Sequence, residues 1–511
     1  MKIVRGLLKI VFSRAVIFTG SILLQVFIVF GIFYFFNEYI TYFYLLFVLL
    51  GFSIIVDILN DESNPMFKLA WIIPILLIPV FGILIYIILN NQIIPKRIGK
   101  ILENNKKKTK NYLEQDHKVY EEIYNDDRHV ANLVRYMNNY GYYPIYKNTD
   151  VKYFCSGEEM YPNLIKELKK AKEFIFMEYF IVAHGRFWYT VLEILKEKVK
   201  EGVEVYFMYD GMCSMSLLAH NYPETLASYG IKCKMFNKVV PVLSTHQNNR
   251  DHRKITVIDG KVAFTGGINI ADEYINEIDR FGYWKDSAIM LKGEATNSFT
   301  IMFLSMWNVT EKLSVNYEKY IRNYKVEDAT GYVMPYGDSP LDRYEIGKDI
   351  YLDLINTSTK YLHIKTPYLI LDYEVLSALK YASKRGVETI IIMPSIPDKW
   401  YTYILARSFY GELLEAGVKI YEYSKGFVHA KEFISDGLEA VVGSINLDYR
   451  SLYLHFECAA YMYKCKEIKN IEKDFEETLT KCNEVTKEAN KKYNIFKKIL
   501  GRIFRLFAPL M

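Results

Sequence analysis

One constellation, present twice at identical spacing, sets the plan of this chain. His252-x-Lys254, then Asp259, Gly266 and Asn269, returns as His429-x-Lys431, then Asp436, Gly443 and Asn446. In both copies the Lys follows the His by two positions, the Asp by seven and the Asn by seventeen. Five fixed residue types at fixed offsets arise by chance about once in a few million starts. Two copies therefore predict two equivalent halves. A chain of 511 residues is also too long for a single core.

The repeat extends beyond the motifs. Phe174 to Phe180 matches Tyr361 to Tyr368 as a buried strand running into a loop. Gly202 to Met208 matches Gly386 to Ile392, and Gly230 to Phe236 matches Gly417 to Tyr423. Each is a β-branched or aromatic run opened by a glycine after a helical stretch, which reads as αβ units with buried strands. The fold class is α/β, two pseudo-symmetric domains with mixed β-sheets flanked by helices. The expected boundaries are 111–330 and 331–485, with the junction in the polar stretch 317–340.

The first ninety residues have another character. Apolar runs at 15–36, 39–56 and 69–90 each approach the ~20 residues that a helix needs to cross a bilayer, so residues 1–95 are expected to be an N-terminal transmembrane α-helical region. A cleaved signal peptide would be shorter and single. Basic clusters flank both ends: Lys2, Arg5, Lys9 and Arg14 before, Lys96 to Lys110 after. The positive-inside rule puts both in the cytoplasm, which three spans cannot satisfy. Either one run is re-entrant or interfacial, or the weaker N-terminal cluster loses. The larger cluster adjoins the folded portion, so the expected location is a multi-pass protein of the cell membrane with cytoplasmic catalytic domains. Residues 486–511 close the chain. There Ile495 to Leu506 alternates apolar residues with Lys497, Lys498, Arg502 and Arg505, the pattern of a basic amphipathic helix lying on an anionic surface or of an ordinary solvated terminal helix.

A net charge of only +5 gives no whole-chain field for nucleic acid. The six cysteines form no C-x-x-C pair and, with the histidines, offer no metal-like spacing, so they read as reduced thiols and no metal or cofactor is called for. What the motifs supply instead is two imidazoles, two ammonium groups and two amides. One neutral imidazole can attack the phosphorus of a phosphodiester while the other, protonated, donates to the departing alkoxide. Lys254 and Lys431 supply positive charge, and Asn269 and Asn446 supply donors to the equatorial oxygens. His-x-Lys on a strand puts both side chains on one face. Gly266, Gly267 and Gly443 would let the backbone turn so that each Asn approaches the phosphate. Asp259 and Asp436 join the candidate catalytic set, although each sits in an Asp-Gly turn that fits a structural role equally. His117, His129, His184, His220, His246, His363 and His455 have no second copy and are read as structural.

The pattern His-x-Lys-x4-Asp-x6-Gly-[Gly/Ser]-x-Asn, twice, resembles the HKD motif of the phospholipase D superfamily, and within it the bacterial cardiolipin synthases. Asn249 to Asp259, Gly266 to Tyr274, Tyr283-Trp-Lys-Asp286, Val428 to Lys431 and Gly443 to Ser451 carry the likeness, with Asn64-Pro65 and Lys68 to Trp71 in the N-terminal region. The resemblance implies that two phosphatidylglycerol molecules give cardiolipin and glycerol through a phosphatidyl-histidine, at anionic membrane lipids. It implies His252 as nucleophile and His429 as acid. It also implies that a carboxylate after each motif, Asp286 and Glu457, orients an imidazole by fixing its tautomer. A membrane-bound phospholipase D that hydrolyses phospholipids, and a non-catalytic membrane scaffold, are the alternatives on the same fold.

Overall fold

Strand order repeats as faithfully as the motifs do. The computed structural model describes residues 23, 27, 30–31, 40–89, 93–238, 248–311 and 314–510. The first half contributes β1 (Thr149–Phe154), β2 (Phe174–Tyr179), β3 (Glu204–Asp210), β4 (Lys232–Phe236), β5 (Lys254–Ile258), β6 (Val262–Gly266), β7 (Tyr283–Lys285) and β8 (Ala288–Gly293). The second contributes β9 (Tyr332–Asp338), β10 (Tyr361–Lys365), β11 (Glu388–Pro394), β12 (Lys419–Tyr423), β13 (Gly426–Val428), β14 (Glu432–Ser435), β15 (Glu439–Gly443), β16 (Glu457–Tyr463) and β17 (Cys482–Glu484). One sheet runs β1-β8-β6-β5-β2-β3-β4. The other, read from its far edge, runs β9-β16-β15-β14-β10-β11-β12 with β17 added. In both, β2-β3-β4 and their counterparts β10-β11-β12 pair in parallel and the remaining neighbours are antiparallel. The three strand pairs matched in the sequence are β2 with β10, β3 with β11 and β4 with β12.

The halves are not separate cores. One apolar cluster runs through both sheets, and the helix Thr296–Trp307 is buried along nearly its whole length between them. Phe303 on that helix stacks on Phe176 of β2 at 4.7 Å. Residues placed by sequence in the first domain also cross over. The helices His117–Asp126 and Arg128–Tyr136 tie to the second half through Tyr463 and Lys464 on Asp126, and through Tyr136 on Asp349. A boundary drawn along the chain cannot show this, because the contacts join residues more than 200 positions apart.

A buried ionic cluster bolts the halves together. Lys365, wholly buried, pairs with Glu432 at 3.0 Å and with Asp474, and Asp474 also receives Lys285 of the first half at 2.6 Å. Asp474→Ala would leave two ammonium groups with too little compensation, and is expected to cost about 3–5 kcal/mol. A thermal or denaturant melt reads this as a large fall in midpoint.

The N-terminal region departs from expectation. The run 15–36 falls almost wholly outside the described residues. The run 39–56 lies, from Ile40 onward, within a helix, Ile40–Asn60. The run 69–90 is not one span but two helices, Pro65–Leu77 and Pro79–Leu89, broken where Pro79 cannot continue the helix. They fold back on each other, with Gly82 pressed against the Pro74 carbonyl and Ile75 packed with Ile83. At 1.5 Å per residue the arms span roughly 20 and 16 Å, short of a ~30 Å hydrocarbon core. Among the described residues no helix is long and apolar enough to cross a membrane. The described residues therefore do not support the expected transmembrane region and multi-pass topology, and the run 15–36 lies almost wholly outside them.

The terminal helix Ile495–Phe507 is docked rather than free. Gly501 lets it approach the helix Trp400–Ala416, and Arg505 holds the Ser408 carbonyl at 2.6 Å and Glu412 at 2.8 Å.

Candidate active site

The chain brings the motifs together by a crossed exchange between the halves. β13, which leads into His429, lies parallel to β7, which leads into Asp286. Asp251, beside His252, bridges in parallel to Phe456, beside Glu457. Each ribbon thus carries the imidazole of one half against the carboxylate of the other. Nδ1 of His252 lies 2.8 and 2.9 Å from the two Glu457 oxygens, and Nδ1 of His429 lies 2.7 Å from Asp286 Oδ2. A carboxylate accepts, so each Nδ1 carries the proton and each Nε2 keeps its lone pair for chemistry. The family resemblance implied Asp286 and Glu457 as orienting groups. The structure adds that each serves the His of the opposite half.

Both imidazoles are buried, His252 at 6% and His429 at 7% exposure. His429 is walled by Tyr274, Trp284 and Phe427, and His252 by Phe180 and His455. Burial, with Lys254, Lys431 and His429 nearby, pushes His252 well below the usual imidazole range. Burial and Lys431 push His429 down to about 4, so both rings are neutral at pH 7 before substrate arrives. Despite its own burial, Asp286 is held below the usual carboxylate range by His429.

The His and Lys of each motif stand at the entrance to a strand: β5 begins at Lys254, and β14 begins just after Lys431. Each ammonium turns back onto the carbonyl of its own motif His. Burial lowers Lys254 to about 8 and Lys431 to about 7. These lysines lose charge as pH rises through those values, so kcat/KM is expected to fall on the alkaline side between pH 7 and 8. Lys431→Arg, which keeps its charge, should move that limb upward in a pH–rate profile.

Asp259 and Asp436, expected among the catalytic residues, stand at the far end of β5 and β14 from the imidazoles. Five strand residues separate Asp259 from the motif, about 17 Å. Asp259 accepts from the backbone N–H of Lys172, Glu173 and Phe174, and Asp436 from those of Thr359, Lys360 and Tyr361. Both have positive φ, 53° and 54°, in their turns. We assign both to the fold: they cap the start of β2 and β10.

Asn269 is committed to the scaffold, accepting from Ile181 N at 3.0 Å and donating to the Tyr274 hydroxyl at 2.9 Å. Asn446 differs, since its buried Oδ1 has no partner. Gly266 has a φ of 152°, a backbone conformation that L side chains rarely adopt, and packing leaves no room for a side chain at any of the motif glycines. A Cβ on Gly266 would sit 2.4 Å from the Ser287 carbonyl, and one on Gly443 2.3 Å from the Ala459 Cβ. At Gly267 a Cβ would lie 2.1 Å from Asp286 Oδ1, whereas Ser444 in the other half uses its hydroxyl to donate to Glu457. His455, read as structural, lies in the site, its ring 5.5 Å from that of His252. It has no repeat partner, so spacing could not reveal it. Its place two residues before Glu457 was the available signal.

Known proteins are similar to this chain. The profile described as cardiolipin synthase, PLD-like domain, matches residues 164–307 and 351–479, and one described as phospholipase D-nuclease N-terminal matches 42–89. An uncharacterized protein of Streptococcus mutans is 46% identical over 455 residues, covering 89% of this chain and 98% of that protein. Cardiolipin synthase 2 of Bacillus cereus is 35% identical over 457 residues, 88% of each chain. The crystal structure of a phosphatidylserine synthase from Haemophilus influenzae superposes with a TM-score of 0.57 at 16% identity, over 74% of this chain and 98% of that one, a likeness of fold. The chain belongs to the cardiolipin synthase family of PLD-like phosphatidyltransferases.

Proposed function

We propose that this enzyme is a cardiolipin synthase that transfers the phosphatidyl group of one phosphatidylglycerol to a hydroxyl of a second, releasing glycerol. The crossed pairs carry this reading, because two buried imidazoles are each fixed with a free Nε2 by a carboxylate of the other half. Nε2 of His252 attacks phosphorus. The bond to the glycerol oxygen breaks, and that oxygen takes a proton from His429. The phosphodiester's negative charge raises His429 in the complex, so that it holds this proton. The acceptor hydroxyl then returns a proton to His429 as its oxygen attacks, and the phosphorus–nitrogen bond breaks. Lys254 and Lys431 offset the charge that builds on the phosphate oxygens.

The acceptor arrives as a lipid, and the chain's two ends support work at an anionic lipid surface. Ile495, Phe496, Ile499, Ile503, Leu506 and Phe507 form an exposed apolar stripe beside Lys497 and Arg502. That helix contacts the exposed apolar helix Pro65–Leu77. Purified protein given phosphatidylglycerol alone should yield cardiolipin and free glycerol. Phosphatidic acid as sole product would mean that water resolves the intermediate, and no product at all would leave only the scaffold.

A further inference from the structure

His455 has no part in the transfer steps, yet it is the least satisfied group near them. It is 8% exposed, and neither Nδ1 nor Nε2 has a hydrogen-bond partner. Buried polar side chains are almost always paired, so two open positions on one ring call for a ligand. One ring nitrogen of His252, one of His455 and an oxygen of Glu457 all lie within 4.8 Å of one another. Two imidazoles and one carboxylate form a borderline-soft donor set that suits zinc, with a fourth position left for water. A cavity lined by His455, Asn64, Tyr453, Ser339 and Asp338, about 1070 Å³ with its open mouth, gives such a ligand an approach.

We propose that His252, His455 and Glu457 bind a divalent transition metal ion, zinc fitting best, and that the bound ion switches the enzyme off. The inhibitory part rests on the reading of His252 as a transfer imidazole. In the active form Nδ1–H of His252 donates to Glu457, leaving the lone pair on Nε2. A metal on Nδ1 displaces the proton there, and the ring takes a proton from solvent at Nε2, so the Nε2 lone pair is used up. The ring remains neutral but presents N–H, not a lone pair, to phosphorus. Tetrahedral zinc needs donor atoms about 3.3 Å apart, so the cluster must contract by roughly 1.5 Å at its widest. The His455 ring, 3.8 Å from Glu457 Oε1 and held by no hydrogen bond, is the group free to move. The ammonium groups of Lys254 and Lys431 oppose a dication, which makes the site reversible rather than structural.

The test uses full-length protein in detergent micelles containing phosphatidylglycerol, with free zinc buffered through the micromolar range. Zinc should stop turnover and a chelator should restore it. His455→Asn should keep its zinc-free turnover and need at least about tenfold more zinc, the minimum loss for a weakened metal site. Cobalt(II) absorption gives a readout independent of activity: one ion per wild-type chain, and at least about tenfold weaker uptake in His455→Asn and His455→Phe. Zinc-insensitive wild-type protein, a variant as sensitive as wild type, or unchanged cobalt uptake would each overturn the proposal. If the zinc-free enzyme makes no cardiolipin, the transfer reading fails, and cobalt uptake still decides the metal site.

Discussion

His252→Ala is expected to abolish turnover, and His429→Ala to stall it with the phosphatidyl group still attached. Removing a nucleophile that acts as a unit with its acid costs about 10⁶-fold in comparable systems, so residual activity should fall below detection. The two replacements differ in what they trap. Given a phosphatidyl ester of p-nitrophenol, whose leaving group needs no acid, His429→Ala protein should release nitrophenolate once and retain labelled lipid. The quench must be alkaline, since a phosphorus–nitrogen bond is acid-labile. His252→Ala should release none and retain none. The reverse pattern would exchange the roles of the two imidazoles without disturbing the site.

Glu457→Gln, in the second half, should disable the imidazole of the first. An amide cannot hold Nδ1–H against a second acceptor oxygen as the carboxylate does, and it fixes the tautomer less firmly. The corresponding change in a serine protease triad costs about 10⁴-fold. The crossed geometry makes a sharper demand: Glu457→Gln should lose the labelled intermediate with the nitrophenyl ester, as His252→Ala does. Asp286→Asn should still form it and fail to pass it on, as His429→Ala does. If each carboxylate instead affected the His of its own half, the exchange across the interface would not be the working arrangement.

Much of this was legible in the sequence, for a physical reason. Buried strands opened by glycines are local features, so β2, β3 and β4 could be matched to β10, β11 and β12 before any coordinates. The Asp-Gly turns at Asp259 and Asp436 already carried a structural reading alongside the chemical one, and their positive φ values show the geometry that favours such residues there. The crossed pairs were not legible. His429 and Asp286 stand 143 residues apart, and His252 and Glu457 stand 205 apart. Which carboxylate meets which ring is decided when two sheets dock face to face, and spacing along the chain holds no record of that. The break within 69–90 has the opposite cause: Pro79 is a local feature of the sequence that ends one helix and opens the next, and a count of apolar residues does not register it.

In the proposed mechanism two buried rings from opposite halves clasp one phosphorus between them. A crystal structure with bound vanadate, a stand-in for the five-coordinate phosphorus, tests it most directly. Vanadium is expected bonded to Nε2 of His252, with an apical oxygen within about 3 Å of Nε2 of His429. Vanadate held by one ring alone, with the other turned away from it, would contradict it.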